Sequence, residues 1–130
     1  MNVFILEDSP VQLQLLKGIV RSVCPSCVIF EATNLKDATK IVKSVNFNVA
    51  FLDFNAPEPI CDVHLCNFFN FGCDVIVVTA DNIHEILSKT CHSCRLVSYM
   101  QKPFDSLSIK KILDVHIKME EQATAWCKKH

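Results

Sequence analysis

An α/β fold, with a parallel sheet covered by helices on both faces, is predicted by three observations. Short apolar runs recur along the 130 residues, each followed by a segment with apolar residues at helical spacing. The central runs lack the alternation of a half-exposed strand, which is the pattern of strands buried on both sides. Strand and helix alternate throughout, and that order builds parallel sheets.

Val3–Leu6 reads as the first strand. Ser9-Pro10 then supplies a helix N-cap with proline in the first turn. Val11, Leu15, Leu16, Ile19, Val20 and Val23 form the expected inner stripe of that helix. Val28–Phe30 is the second strand, and Asn34 caps a helix with Leu35, Ala38, Ile41 or Val42, and Val45 inward. The third strand ends at Leu52 and a loop with Pro57 and Pro59 follows, then a short helix near Val63 to Phe69. Val75–Val78 is the fourth strand, with a helix near Ile83–Lys89. Leu96–Met100 is the fifth. Asp105 opens the longest helix, with Ile109, Ile112, Leu113, His116, Met119, Ala123 and Trp126 along one stripe. At 1.5 Å per residue it reaches ~35 Å, more than a short strand can cover.

Half the residues are hydrophobic and 21% are charged, which fits one folded domain over residues 1–130 and excludes a disordered chain. A net charge of -1 gives no electrostatic reason for a nucleic-acid or anionic-membrane partner. No apolar stretch approaches the roughly 20 residues of a membrane span. Two acids within the first eight residues are unlike a secretory signal, so a cytoplasmic location is expected.

Four of the strands end in polar residues with usable chemistry: Glu7-Asp8, Asp53, Thr79 and Lys102. In one parallel sheet these ends share the carboxyl edge, where open α/β sheets bind ligands. Three carboxylates gathered there would raise one another's pKa values. A hard cation with oxygen ligands relieves that repulsion. Carboxylates, a hydroxyl and an ammonium together suit a divalent cation and a phosphoryl group.

The pattern resembles the receiver domain of two-component response regulators, the family of the bacterial chemotaxis receiver, over essentially the whole chain. The resemblance implies a flavodoxin-like doubly wound five-stranded sheet in the order 2-1-3-4-5, with five helices and no output domain. It implies that Asp53 is the phosphoacceptor, with Thr79 and Lys102 completing the catalytic set. Mg2+ would be held by Asp8, Asp53 and the backbone carbonyl of Asn55, with Glu7 acting through a water. Ala80 would leave room for the phosphoryl group, Pro103 would aim Lys102 through a cis peptide bond, and Asn55 and Asp81 would tune hydrolysis. Thr79 and Tyr99 would form the switch that changes the surface of the fourth helix, fifth strand and fifth helix. The implied partners are a histidine kinase or phosphotransfer protein and a downstream protein, with a homodimer through that same surface. Such a protein is a signalling switch whose only catalysis is its own phosphorylation and dephosphorylation.

Two features depart from the family. Cys61 stands where receivers usually carry glycine, and the loop Asn55–Pro59 has two prolines and Glu58. The alternative functions are a degenerate receiver acting as a phosphorylation-independent interaction module and a Mg-dependent phosphatase with an Asp nucleophile. That phosphatase class wants a second Asp where Asn55 stands. An FMN carrier of the same topology is opposed by the negative Glu7-Asp8 pair. Eight cysteines include two Cys-x-x-Cys pairs, Cys24/Cys27 and Cys91/Cys94. The sheet order puts these pairs at opposite edges, ~19 Å apart, too far for a shared zinc. Buried, inert thiols are the expected reading, and His116 is expected to be a core or half-exposed side chain.

Overall fold

Unbroken apolar runs become central strands because only a doubly covered sheet buries both of their faces. The computed structural model describes residues 1–53, 69–70, 72–79, 98–103 and 105–129. Its strands are β1 (Asn2–Leu6), β2 (Val28–Ala32), β3 (Val49–Asp53), β4 (Asp74–Thr79) and β5 (Ser98–Gln101). Its helices, among the described residues, are α1 (Pro10–Val23), α2 (Leu35–Ser44) and α3 (Ser106–Lys129). All strand pairs are parallel, and the sheet order is β2-β1-β3-β4-β5. The order implied by the resemblance is therefore the observed one. The expected helices near Val63 to Phe69 and Ile83–Lys89 lie outside the described residues, apart from Phe69.

The pleat of the sheet separates two cores. Phe4, Leu6, Ala50, Leu52 and Val75 face α2, where they meet Ala38, Val42, Phe47 and Phe69. Val3, Ile5, Val49, Phe51, Ile76, Val78 and Met100 face α1 and α3, against Leu13, Leu16, Val20, Ile109 and Leu113. Phe47 is the hub of the first core, its ring centroid 5.3 Å from Phe4 and Phe30 and 6.3 Å from Phe69.

The helices start where capping chemistry places them. The Ser9 hydroxyl accepts from the Gln12 N–H at 3.4 Å, with Pro10 in the first turn. Asn34 accepts from the Asp37 N–H at 2.8 Å, while its own amide donates to the Asp37 carboxylate at 2.9 Å. Asp105 accepts from the Leu107 N–H and from the Ser108 hydroxyl, both at 2.9 Å, and opens α3. These bonds hold the Asp105 carboxyl below its ordinary pKa, the Ser108 contact most of all.

Several boundaries and faces differ from the sequence reading. β2 continues to Ala32 because Glu31, on an edge strand, turns outward to meet Lys17 at 2.7 Å. β5 runs Ser98–Gln101 rather than Leu96–Met100, and Leu96 and Val97 lie outside the described residues. In α1 the buried residues are Leu13, Leu16 and Val20, while Val11 and Leu15 face solvent. The inner stripe of α3 stops at His116, and Met119 and Trp126 are exposed. The reason is length: 24 residues make ~36 Å of helix, and the sheet beneath covers only its first half.

Replacing Phe47 by Ala removes the ring that joins three other aromatic side chains, Phe4, Phe30 and Phe69. It should cost about 3–5 kcal/mol of unfolding free energy, read from urea denaturation. Ser9→Ala, which removes only a cap, should cost about 1 kcal/mol in the same assay.

Candidate functional site

Parallel pairing fixes where the strand ends lie. Leu6 is in register with Leu52 and with Ala32, Asp53 with Val78, and Thr79 with Gln101. The residues that follow β1, close β3 and β4, and follow β5 therefore lie along one edge of the sheet. The Glu7 N–H donates to the Ala32 carbonyl at 3.1 Å, which extends the β1–β2 ladder by one step and anchors the acidic pair.

Glu7 and Asp53 are both 2% exposed, and Asp8 beside them is open to solvent. One carboxylate oxygen from each of the three lies within 4.8 Å of the others. The Lys102 ammonium reaches into this group, 3.1 Å from Glu7 Oε2 and 3.4 Å from Asp53 Oδ1. The other Glu7 oxygen, Oε1, accepts from the Ser9 N–H at 3.1 Å. The peptide bond between Lys102 and Pro103 is cis, as the resemblance implied.

Burial and a carboxylate neighbour both act on the pKa of Glu7. Its carboxyl is raised from 4.5 to about 7, chiefly by burial and next by the hydrogen bond to Asp53. The Ser9 N–H and Lys102 work against the rise without cancelling it. Two buried carboxylates and one nearby ammonium leave excess negative charge, and Asp8 adds to it. All three acidic donors are oxygens, the set that suits Mg2+ or Ca2+ rather than zinc. The residues present therefore fit a hard divalent cation.

The resemblance implied a role for Glu7 through water. The structure adds a second one, as a hydrogen-bond bridge between Lys102 and Ser9, the N-cap of α1. No motif signals this, because Ser9 is legible as a cap and its N–H is not. Tyr99 is half-buried on β5, in register with Val77. Thr79 is the last residue of β4. Asn55, Ala80, Asp81, Cys61 and Glu58 lie outside the described residues, as do Cys91 and Cys94. A second polar pair sits at the opposite edge of the sheet, where buried His116 contacts the Asp74 carboxylate across 42 positions of sequence. Such a pairing joins the start of β4 to α3 and is invisible to local pattern.

Neither a family model nor a curated protein matches the sequence. Solved structures do match it in fold. One is the receiver domain of a sensor histidine kinase from Pseudomonas aeruginosa, with a magnesium ion coordinated in its active site cleft. It shares 17% identity, covers 86% of this chain and 93% of its own, and has a TM-score of 0.72. A response regulator from Burkholderia pseudomallei, solved with a phosphorylated aspartic acid, calcium ion and citrate, shares 18% identity over 93% of this chain and 74% of its own, TM-score 0.68. The response regulatory domain of the protein mrkE from Klebsiella pneumoniae shares 22% identity over 94% and 99%, TM-score 0.68. The fold is that of response regulator receiver domains, and in this chain it carries an acidic cluster beside a lysine. Among the described residues no helix is long and apolar enough to cross a membrane.

The raised Glu7 carboxyl sets a pH dependence. The folded state holds this proton more tightly than the unfolded chain, so the group's contribution falls as pH rises from about 4.5 to about 7. In chelator at neutral pH, Glu7→Gln should therefore be more stable than wild type by roughly 1–3 kcal/mol. The gain should shrink toward pH 4.5. Urea denaturation at several pH values measures both; a Gln variant less stable than wild type at neutral pH would contradict it.

Proposed function

We propose that this protein is a phosphorylation-controlled signalling switch, with Asp53 as the acceptor of a phosphoryl group. The observation that carries the reading is the convergence of Glu7, Asp8 and Asp53 within 4.8 Å, with Lys102 3.4 Å from Asp53. An isolated acid at a strand end is ordinarily solvated. Burying two of them beside a cation-binding geometry is costly unless the site is used.

An Asp53 carboxylate oxygen attacks phosphorus, and the bond from phosphorus to the donor's leaving atom breaks. That atom is an imidazole nitrogen for a phosphohistidine donor or a carboxylate oxygen for acetyl phosphate. Little covalent chemistry is asked of the protein, since phosphoryl transfer depends mainly on position and charge. Lys102 lies where it would offset the negative charge that grows on the incoming group. Mg2+, when bound, supplies the remaining neutralisation, and Asp8 and Asp53 with the Asn55 backbone carbonyl are the residues that would hold it. Glu7, itself buried, holds the ammonium of Lys102 at 3.1 Å. Thr79, by its place at the end of β4, would donate to a phosphoryl oxygen.

The aspartyl phosphate adds roughly -1.5 to -2 charges and three acceptor oxygens at the sheet edge. Thr79 and Tyr99 on the neighbouring strands β4 and β5 would carry that change to the surface of the fourth helix, β5 and α3. A histidine kinase or phosphotransfer protein would act as donor, and a protein bound at that surface would read the state. A homodimer through it is part of the same proposal, as is one receiver domain for residues 1–130. The activity is regulatory: the chain's chemistry acts on its own Asp53.

Incubation with acetyl phosphate and Mg2+, followed by intact-mass analysis, tests the acceptor. Wild type should gain one phosphoryl mass and Asp53→Asn none. Asp8→Asn should reduce the yield at limiting Mg2+ by tenfold or more, an expectation of about 1.4 kcal/mol or greater for a lost ligand. Equal modification of wild type and Asp53→Asn would exclude Asp53 as acceptor.

A further inference from the structure

Cys24 and Cys27 belong to the turn between α1 and β2, at the edge of the sheet opposite the acidic cluster. The Cys27 N–H donates to the Cys24 carbonyl at 3.2 Å, the closing bond of a four-residue turn. Turns of this kind hold their end Cα atoms under about 7 Å apart. Disulfides bridge Cα separations of about 4.4–6.8 Å, so the backbone already meets the main requirement. The two thiols also act on each other: burial raises the Cys27 pKa, and the adjacent Cys24 thiol raises it further, against weaker pulls from the amino terminus and Arg21. Both cysteines are free.

The pair is asymmetric. Cys24 is 5% exposed, whereas Cys27 is half-buried. Pro25 and Ser26 between them are exposed; Cys24, Pro25 and Ser26 form one wall of an open groove whose other wall is Glu120, Thr124 and Lys128 of α3, while Cys27 lies outside that groove with its side chain partly packed on the core under α1 and α3.

We propose that Cys24 and Cys27 form a reversible intramolecular disulfide by exchange with a low-molecular-weight disulfide of the glutathione class. Cys27 loses its proton to solvent and attacks one sulfur of the external disulfide. The external S–S bond breaks, one external thiol leaves, and Cys27 holds the other half as a mixed disulfide. Cys24 then loses its proton, attacks the Cys27 sulfur and displaces the second external thiol. Two electrons pass from the protein pair to the external disulfide, giving one protein S–S bond and two external thiols. The half-buried Cys27, the more accessible of the two, provides entry and the buried Cys24 resolves the intermediate. The raised Cys27 pKa keeps the thiolate scarce at neutral pH, so the exchange is slow there and speeds up in alkali. This revises the expectation of inert thiols for this pair and does not depend on phosphorylation of Asp53.

The full-length protein is incubated with oxidised glutathione, its remaining thiols are alkylated, and its peptides are mapped by mass spectrometry. Wild type should give a peptide with Cys24 and Cys27 joined, unalkylated and lighter by two hydrogens, restored by dithiothreitol. Cys24→Ser should accumulate glutathione on Cys27, and Cys27→Ser should leave Cys24 reduced. Full alkylation of both cysteines in wild type would overturn the proposal. So would a lasting glutathione adduct on Cys27 in wild type, or a link from either residue to another cysteine. The wild-type map decides the question even where a variant fails to fold.

Discussion

Placing two carboxylates in the low-dielectric edge of a sheet is expensive unless charge is returned to them, and this constraint organises the molecule around Glu7, Asp53 and Lys102. Parallel pairing delivers Glu7 and Asp53 to the same edge from neighbouring strands. Lys102 arrives from β5, two strands away from β3, and its ammonium meets both acids. One lysine cannot neutralise three carboxylates, and burial, helped by the hydrogen bond to Asp53, holds the Glu7 carboxyl up near 7 despite that lysine. The site is thus left with an electrostatic demand that a divalent cation, and after it a phosphoryl group, can meet.

Much of the fold serves to hold that geometry against repulsion. Both cores press on β1 and β3, the strands that carry the acids, and β3 is buried at every position. The Ser9 N–H, fixed by the start of α1, holds one oxygen of Glu7 while Lys102 holds the other. Asp105 caps α3 three residues after Lys102, so the lysine sits in a short segment pinned by a strand on one side and a helix on the other.

The central strands were legible because uninterrupted runs such as Val3–Leu6 and Val75–Val78 are too short for helices and fit strands buried on both faces. The acidic pair and Asp53 stood out because each followed such a run, and Lys102 because it followed a weaker one, Leu96–Met100. Edges were harder. β5 and β2 flank the sheet, carry polar residues, and so start or end away from their most apolar stretch. Helix faces were partly misread for a physical reason: Val11 and Leu15, or Met119 and Trp126, fit a helical stripe, but only the sheet's extent decides which turns are covered. Lys17 with Glu31 and His116 with Asp74 join elements distant in sequence, and no local signal announces such partners. The roles of Thr79, Tyr99 and Asn55 came from resemblance alone.

Binding of Mg2+ at the acidic cluster is the most direct test of the central claim. Isothermal titration of wild type and Asp8→Asn with MgCl2 measures it without any phosphodonor. One saturable site in wild type, weakened about tenfold or more in Asp8→Asn, is the predicted result. Absent binding in wild type, or equal affinity in the two proteins, would contradict the account.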